Sequence, residues 1–197
     1  MQIILSDFMS LDGVVQAPGG PEEDTDGGFA HGGWSMPYFD VDVMGPAIDN
    51  VMQRTDALLY GRRTWQNMAA AWPERAGDPF ADAINALPKY VASRTLTDAD
   101  MTWNNSHLLP ADDVFGAVER LKAQEGGGIQ IWGSPSFARQ LVERDLVDEY
   151  CLMIEPILLG GGKRVFPETG VARALELTCV QQAKSGVLVC IYRRAGS

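Results

Sequence analysis

The sequence predicts an α/β fold: a mostly parallel central sheet flanked by helices and finished by a C-terminal antiparallel β-hairpin. Three observations carry this reading. Through most of the chain short apolar strands alternate with stretches of helical spacing, the order that a parallel sheet with crossover helices requires. Near the C-terminus strand-like stretches follow one another, and only Lys184-Ser185-Gly186 separates the last two, a link too short for any but antiparallel pairing. Finally, 197 residues with a hydrophobic fraction of 46% fit one domain with a substantial core.

The elements follow in order. Residues 2–10, rich in Ile, Leu and Phe, read as a buried strand that runs into the turn Ser10-Leu11-Asp12-Gly13. Residues 16–33 are crowded with Gly, Pro and acids and predict a long mobile loop without regular structure, extending to about residue 40. Pro46, Ile48, Val51 and Met52 mark a helix face. Residues 57–60 form a strand broken by Gly61, after which Trp65, Met68, Ala69 and Trp72 mark the next helix. Residues 90–92 are a strand, and Val114, Val118 and Leu121 line a helix that Asp112 or Asp113 caps and Gly126 ends. The clearest unit is the strand 129–132, the turn at Gly133, Ser134 as N-cap, Pro135 in the first turn, and Phe137 and Leu141 facing inward. Residues 150–159, 175–182 and 187–193 complete the strands. No internal repeat or linker divides residues 1–197.

The charge balance narrows the function classes. Twenty-six acidic against 16 basic residues give a net charge of −10, which repels nucleic-acid backbones and anionic membranes. No apolar run reaches the length of a membrane span, and the N-terminus lacks the order of a signal peptide, so a cytoplasmic protein is expected. Cys151, Cys179 and Cys190 all fall in apolar strands and read as buried free thiols. His31 and His107 are far from each other and from every cysteine, so no metal site is expected.

In a parallel sheet, ligands gather beyond the carboxyl ends of the strands. Gly61-Arg62-Arg63-Thr64 joins two guanidinium groups, a hydroxyl and free helix amides, which suit a phosphate or pyrophosphate. The alternative is that these arginines sit in water or pair with acids, although cations there oppose the helix dipole. Ser93-Arg94-Thr95 offers the means to hold a second phosphate, or is a plain polar loop. Gly133-Ser134-Pro135 opens a helix with amides aimed at the turn, yet lacks the dinucleotide fingerprint. Gly160-Gly161-Gly162-Lys163 lacks the spacing of a P-loop and reads as a flexible turn. Asp12 and Glu155 are candidate carboxylates with raised pKa in a cleft, or else a turn residue and a solvated strand end. Phe29, Trp34, Tyr38 and Phe39 either close over a flat heterocycle or pin the loop to the core.

Taken in order, Ser10-Leu11-Asp12-Gly13, Tyr60-Gly61-Arg62-Arg63-Thr64-Trp65, Ile131-Trp132-Gly133-Ser134, Asp148-Glu149, residues 155–162 (Glu-Pro-Ile-Leu-Leu-Gly-Gly-Gly) and Val165-Phe166 resemble the dihydrofolate-reductase-like superfamily. The branch they resemble is the pyrimidine reductase of riboflavin synthesis, the C-terminal half of the bifunctional deaminase-reductase. The resemblance implies a homodimeric oxidoreductase with NADPH across the carboxyl edge of the sheet. Asp12 and Gly13 would adjoin the nicotinamide, Gly61 to Thr64 and Ser93 to Thr95 would hold phosphates, and Gly133, Ser134 and Pro135 would meet the pyrophosphate. Glu155, with Trp34 from the loop, would face the substrate. The expected reaction resembles reduction of 5-amino-6-(5-phosphoribosylamino)uracil; dihydrofolate is the alternative substrate, and a non-catalytic NADPH-binding protein the alternative of a different class. The zinc deaminase half is absent from this chain.

Overall fold

The computed structural model describes residues 1–196. Its strands are β1 (Gln2–Ser10), β2 (Thr55–Gly61), β3 (Lys89–Ala92), β4 (Ser106–Leu108), β5 (Gly128–Trp132), β6 (Glu149–Glu155), β7 (Leu175–Gln182) and β8 (Leu188–Arg194). Its α-helices are α1 (Met44–Gln53), α2 (Arg62–Ala71), α3 (Pro79–Ala86), α4 (Val114–Lys122) and α5 (Pro135–Glu143). Among the described residues the strands form one eight-stranded sheet in the order β4-β3-β2-β5-β1-β6-β8-β7. Every pair from β4 to β6 is parallel, whereas β8 runs antiparallel to both β6 and β7. This is the mixed sheet with a terminal hairpin that the sequence predicts.

The sheet is covered on both faces because its strands are apolar on both. Ile3 and Leu5 of β1, Ala57 and Leu59 of β2 and Ile129 and Ile131 of β5 pack with Val118 of α4 and Phe137 and Leu141 of α5. On the opposite face Leu58 and Tyr60 meet Trp65 of α2 and Ile84 of α3, and Ile4 meets Val51 of α1. Such two-faced burial is the mark of parallel strands with helices on either side.

Several boundaries differ from the sequence reading. α3 and β4 were not legible as periodic patterns, being only eight and three residues long. α3 nonetheless has a proper start: Pro79 follows Asp78, whose Oδ1 accepts from the amides of Phe80 and Ala81, each at 3.0 Å. β6 stops at Glu155 because Pro156 has no N–H to continue the ladder. Asp113 takes the N-cap position of α4 but turns its carboxylate to Arg120 at 2.9 Å, and the helix ends at Lys122, short of Gly126. Cys151 and Cys190 are buried as expected, but Cys179 is exposed, since β7 is an edge strand with an uncovered outer face.

The glycine-rich segment is also more ordered than its composition suggests. It contains two single-turn 3-10 helices, Asp26–Gly28 and Met36–Tyr38. The Gln16 amide donates to the carbonyls of Asp24 and Asp26, both at 3.0 Å, and Trp34 is buried with its indole N–H on the Gln16 carbonyl at 2.8 Å.

One buried cation fixes the strand that carries the second arginine turn. Lys89, at the start of β3, is fully buried, and its ammonium donates to the carbonyls of Asn85, Leu87 and Asn104 at 2.8, 2.7 and 3.0 Å. It also lies 4.5 Å from the centre of the Trp103 ring. Two of those carbonyls belong to the end of α3 and the residues just after it, where helical acceptors lack partners. Replacing Lys89 by Met keeps the volume but takes the ammonium from the carbonyls of Leu87 and Asn104 and leaves Asn85 only the Asn104 side-chain amide, so Lys89→Met is expected to lower the unfolding free energy by about 3 kcal/mol in urea titration at neutral pH.

Candidate active site

Parallel strands end on the same side, so the termini of β1, β2, β3, β5 and β6 open onto one edge of the sheet. Two adjoining cavities lie there. The first, of about 710 Å³, is lined by Gly61, Arg62, Arg63 and Thr64, by Ser93, Arg94 and Thr95, and by Ser134 and Pro135. The second, of about 870 Å³, is walled by Phe8, Met36, Phe39, Trp72, Phe80 and Trp132 among others. Arg63, Thr64, Ser134 and Pro135 line both, with Asp24 and Asp26 from the glycine-rich loop.

The first cavity has the donors that a phosphate needs. Gly61 is the N-cap of α2 and no side chain caps that helix, which leaves its first amides for a ligand. The two arginines of this turn have different fates. Arg63 pairs with Asp24 and Asp26, while Arg62, like Arg94, has no ion pair among the described residues. The Ser93 hydroxyl accepts from the amides of Thr95 and Leu96 at 3.1 and 3.0 Å, a local turn that holds Arg94 on the cavity wall. Lys163, from the turn after β6, also lines this cavity and is bound to Asp24 at 2.6 Å and to Asp26 at 3.0 Å. Loop acids thus hold one cation from each side of the cleft.

The Gly133 turn works differently from the sequence reading. Gly133 and Ser134 both have left-handed φ of 53°, so Ser134 cannot cap α5 as an extended N-cap residue does. Its hydroxyl instead accepts from the Gly61 amide at 2.9 Å, and its own amide donates to Thr64 Oγ1 at 3.0 Å. The Gly133 amide donates to Asp7 Oδ1 at 2.6 Å. Those three amides are therefore satisfied within the protein, and they brace the start of α2 against the start of α5.

The two candidate carboxylates separate sharply. Asp12 lines neither cavity. Its carboxylate accepts from the Ser10 hydroxyl at 2.7 Å and from the amides of Leu159 and Gly160 at 3.1 and 2.9 Å, with Arg164 at 3.3 Å. These donors, the Ser10 hydroxyl first, pull its pKa down to about 2 rather than up. Asp12 clasps the loop after β6 to the end of β1, and Gly13 beside it, with φ of 84°, serves that turn rather than the cleft wall. Trp34, expected to contact substrate, is also absent from both walls and pins the loop from beneath.

Asp7 was missed, although an acid inside an otherwise apolar strand is a legible signal. It lines the aromatic cavity and is 7% exposed. Burial raises its pKa well above the ordinary 3.8, the Gly133 amide opposing the rise and the Glu23 charge adding to it. Among the described residues no three His, Cys, Asp or Glu side chains gather to hold a metal ion, and no helix is long and apolar enough to cross a membrane.

The profile of the RibD C-terminal domain matches residues 1–189. The chain belongs to the RibD C-terminal domain family. It is similar to the uncharacterized protein YyaP of Bacillus subtilis (strain 168), 26% identical over 200 residues that cover 99% of this chain and 96% of that protein. Solved structures share the fold of this RibD C-terminal domain. A putative riboflavin biosynthesis protein from Shewanella sp. PV-4 has a TM-score of 0.74 at 20% identity, covering 98% and 99% of the two chains. A pyrimidine reductase-like protein from Corynebacterium diphtheriae has a TM-score of 0.66 at 15% identity, covering 100% of this chain and 92% of the other. Enterococcus faecalis dihydrofolate reductase, complexed with NADP(H) and RAB-propyl, has a TM-score of 0.61 at 12% identity, covering 98% and 96%. The fold is therefore dihydrofolate-reductase-like.

In this RibD C-terminal domain Glu155 is fully buried and lines neither cavity. The hydroxyl of Ser35, which does line the aromatic one, donates to its Oε1 at 2.5 Å, and Oε2 has no partner. Burial lifts the pKa to about 7 from an ordinary 4.5, against the opposing Ser35 hydrogen bond. A carboxyl whose folded pKa is raised binds its proton more tightly in the native state, so stability falls as pH rises from about 4.5 to about 7 and is level above. Glu155→Gln removes this titration and is expected to gain on the order of 2–3 kcal/mol over wild type at pH 8 relative to pH 4, measured by denaturant unfolding at both values.

Proposed function

We propose that this chain is an NADPH-dependent reductase that delivers a hydride to a pyrimidine or pteridine-like substrate, the reaction being of the type that reduces 5-amino-6-(5-phosphoribosylamino)uracil. The observation that carries this reading is the pair of adjoining cavities: a basic one with helix amides and two guanidinium groups that form no ion pair among the described residues, opening into an aromatic one. An extended ligand with phosphates at one end and flat rings at the other fits that division. The donor set suits NADPH on chemical grounds, since Arg62 and Arg94 have no ion pair among the described residues and the uncapped start of α2 offers amides.

When bound, the dinucleotide supplies the hydride. The residues of this chain bind and orient it. Arg62, Thr64 and the first amides of α2 would hold the pyrophosphate, and Arg94 with Ser93 and Thr95 the ribose phosphate that distinguishes NADPH from NADH. Arg63 joins them if the dinucleotide displaces Asp24 and Asp26. Phe80 and Trp132, stacked with ring centres 6.1 Å apart, and Trp72, edge-on to Phe80 at 5.6 Å, form the wall for a flat heterocycle. The exposed outer face of β7, with Leu177 and Val180 about half exposed, supports the homodimer that the family resemblance implies.

Parallel titrations with NADPH and NADH, read by thermal shift, test the cofactor assignment. Arg94→Ala is expected to weaken NADPH about tenfold, ~1.4 kcal/mol, and to leave NADH nearly unchanged. Arg62→Ala is expected to weaken both nucleotides by a similar factor. Failure of the wild type to bind either nucleotide would contradict the reading.

A further inference from the structure

A reduction of this kind needs a proton as well as a hydride, and the carboxylates around the aromatic cavity are not equal candidates to hold it. Asp24 and Asp26 are ion-paired with Arg63 and Lys163. Glu23 accepts from the amides of Gly19 and Gly20 at 2.7 and 3.2 Å. Glu22 is exposed to solvent rather than held against the cavity wall. Glu155 is sealed behind Ser35.

Asp7 alone combines the required features. It sits in β1 between β5 and β6, beside Phe8 and Trp132 on the cavity wall. It is more than nine-tenths buried, and its Oδ2 has no hydrogen-bond partner. Oδ1 accepts from the Gly133 amide, so it is the unpartnered Oδ2 that is left to carry a proton. A buried carboxyl oxygen without a partner is costly, and a ligand that accepts from it recovers that cost.

Resting on the reductase reading above, we propose that Asp7 is the acid of this site, the residue that gives a proton to the nitrogen bonded to the carbon being reduced. In the overall step the carbon of a C=N bond would receive two electrons and a hydrogen nucleus from a reduced nicotinamide dinucleotide, which would be oxidised. The Oδ2–H bond of Asp7 breaks and an N–H bond forms on the substrate. The Asp7 carboxylate takes a proton back from water as the product departs. The group acting on this proton from the neighbouring strand turn is the Gly133 amide, and the charged group acting on it from the loop is Glu23. Together with the aromatic walls, this selects a flat nitrogen heterocycle with an accepting nitrogen on its Asp7 side.

The test uses 2,4-diaminopyrimidine as a probe with a basic ring nitrogen, and protein labelled with carbon-13 in its aspartate carboxyl groups. Isotope-edited infrared spectra of the wild type at pH 7 are expected to contain a protonated-acid carbonyl band that is missing in Asp7→Asn. Adding the probe is expected to convert this band to carboxylate, and Asp7→Asn is expected to bind the probe at least tenfold more weakly while keeping wild-type affinity for NADPH. Absence of the acid band from the wild type, its persistence in Asp7→Asn, or failure of the probe to bind or to remove it would each overturn the assignment. Loss of NADPH binding by the wild type would strike the reductase reading instead, so the two failures are distinguishable.

Discussion

The parallel pairing of β1 with β5 on one side and β6 on the other is the constraint from which the cleft follows. Ile3, Ile4 and Leu5 are completely buried, so β1 must lie in the middle of the sheet with helices on both faces. Once it does, its end and the ends of its neighbours share one edge. Asp7 reaches Gly133 across the β1–β5 boundary, and Ser10 stands opposite Glu155 across the β1–β6 boundary. Asp7, Ser10 and Glu155 thus gather toward the carboxyl ends of these two strands.

Charge organises what lies outside that edge. The protein carries a net charge of −10, yet the turn after β2 and the turn after β3 place Arg62 and Arg94 on one cavity. The loop acids Asp24 and Asp26 neutralise Arg63 and Lys163 at the junction with the aromatic cavity. Asp26 is itself held down to about pKa 2, chiefly by its hydrogen bond with Arg63. Loop and cleft are therefore coupled through these ion pairs.

Much of this was legible in the sequence, and the failures have physical causes. The strand-turn-helix units at Gly61 and Gly133 were readable because apolar periodicity and a single glycine mark them. α3 and β4 were not, being too short to generate a period. The arginine turns were recognised by residue type, but which guanidinium would be paired depends on Asp24 and Asp26, more than thirty residues away in the chain. The sequence left Asp12 open between cleft and turn, because the partners that decide for the turn, the amides of Leu159 and Gly160, come from the far end of the chain. Ser134 stands at the N-cap position the sequence marks, but that its hydroxyl does not cap α5 was not legible, since its left-handed backbone is invisible in the letters Gly-Ser-Pro. Asp7 was overlooked because a strand of nine residues read as apolar despite the acid within it.

Hydrogen exchange with and without NADPH tests most directly whether the carboxyl edge of the sheet is the cofactor site. Protection is expected in three separate segments, at the start of α2, in the turn after β3 and at the start of α5, with the acidic loop changing in the same experiment as its ion pairs are exchanged. Protection confined to other surfaces, or none at saturating NADPH, would contradict the account.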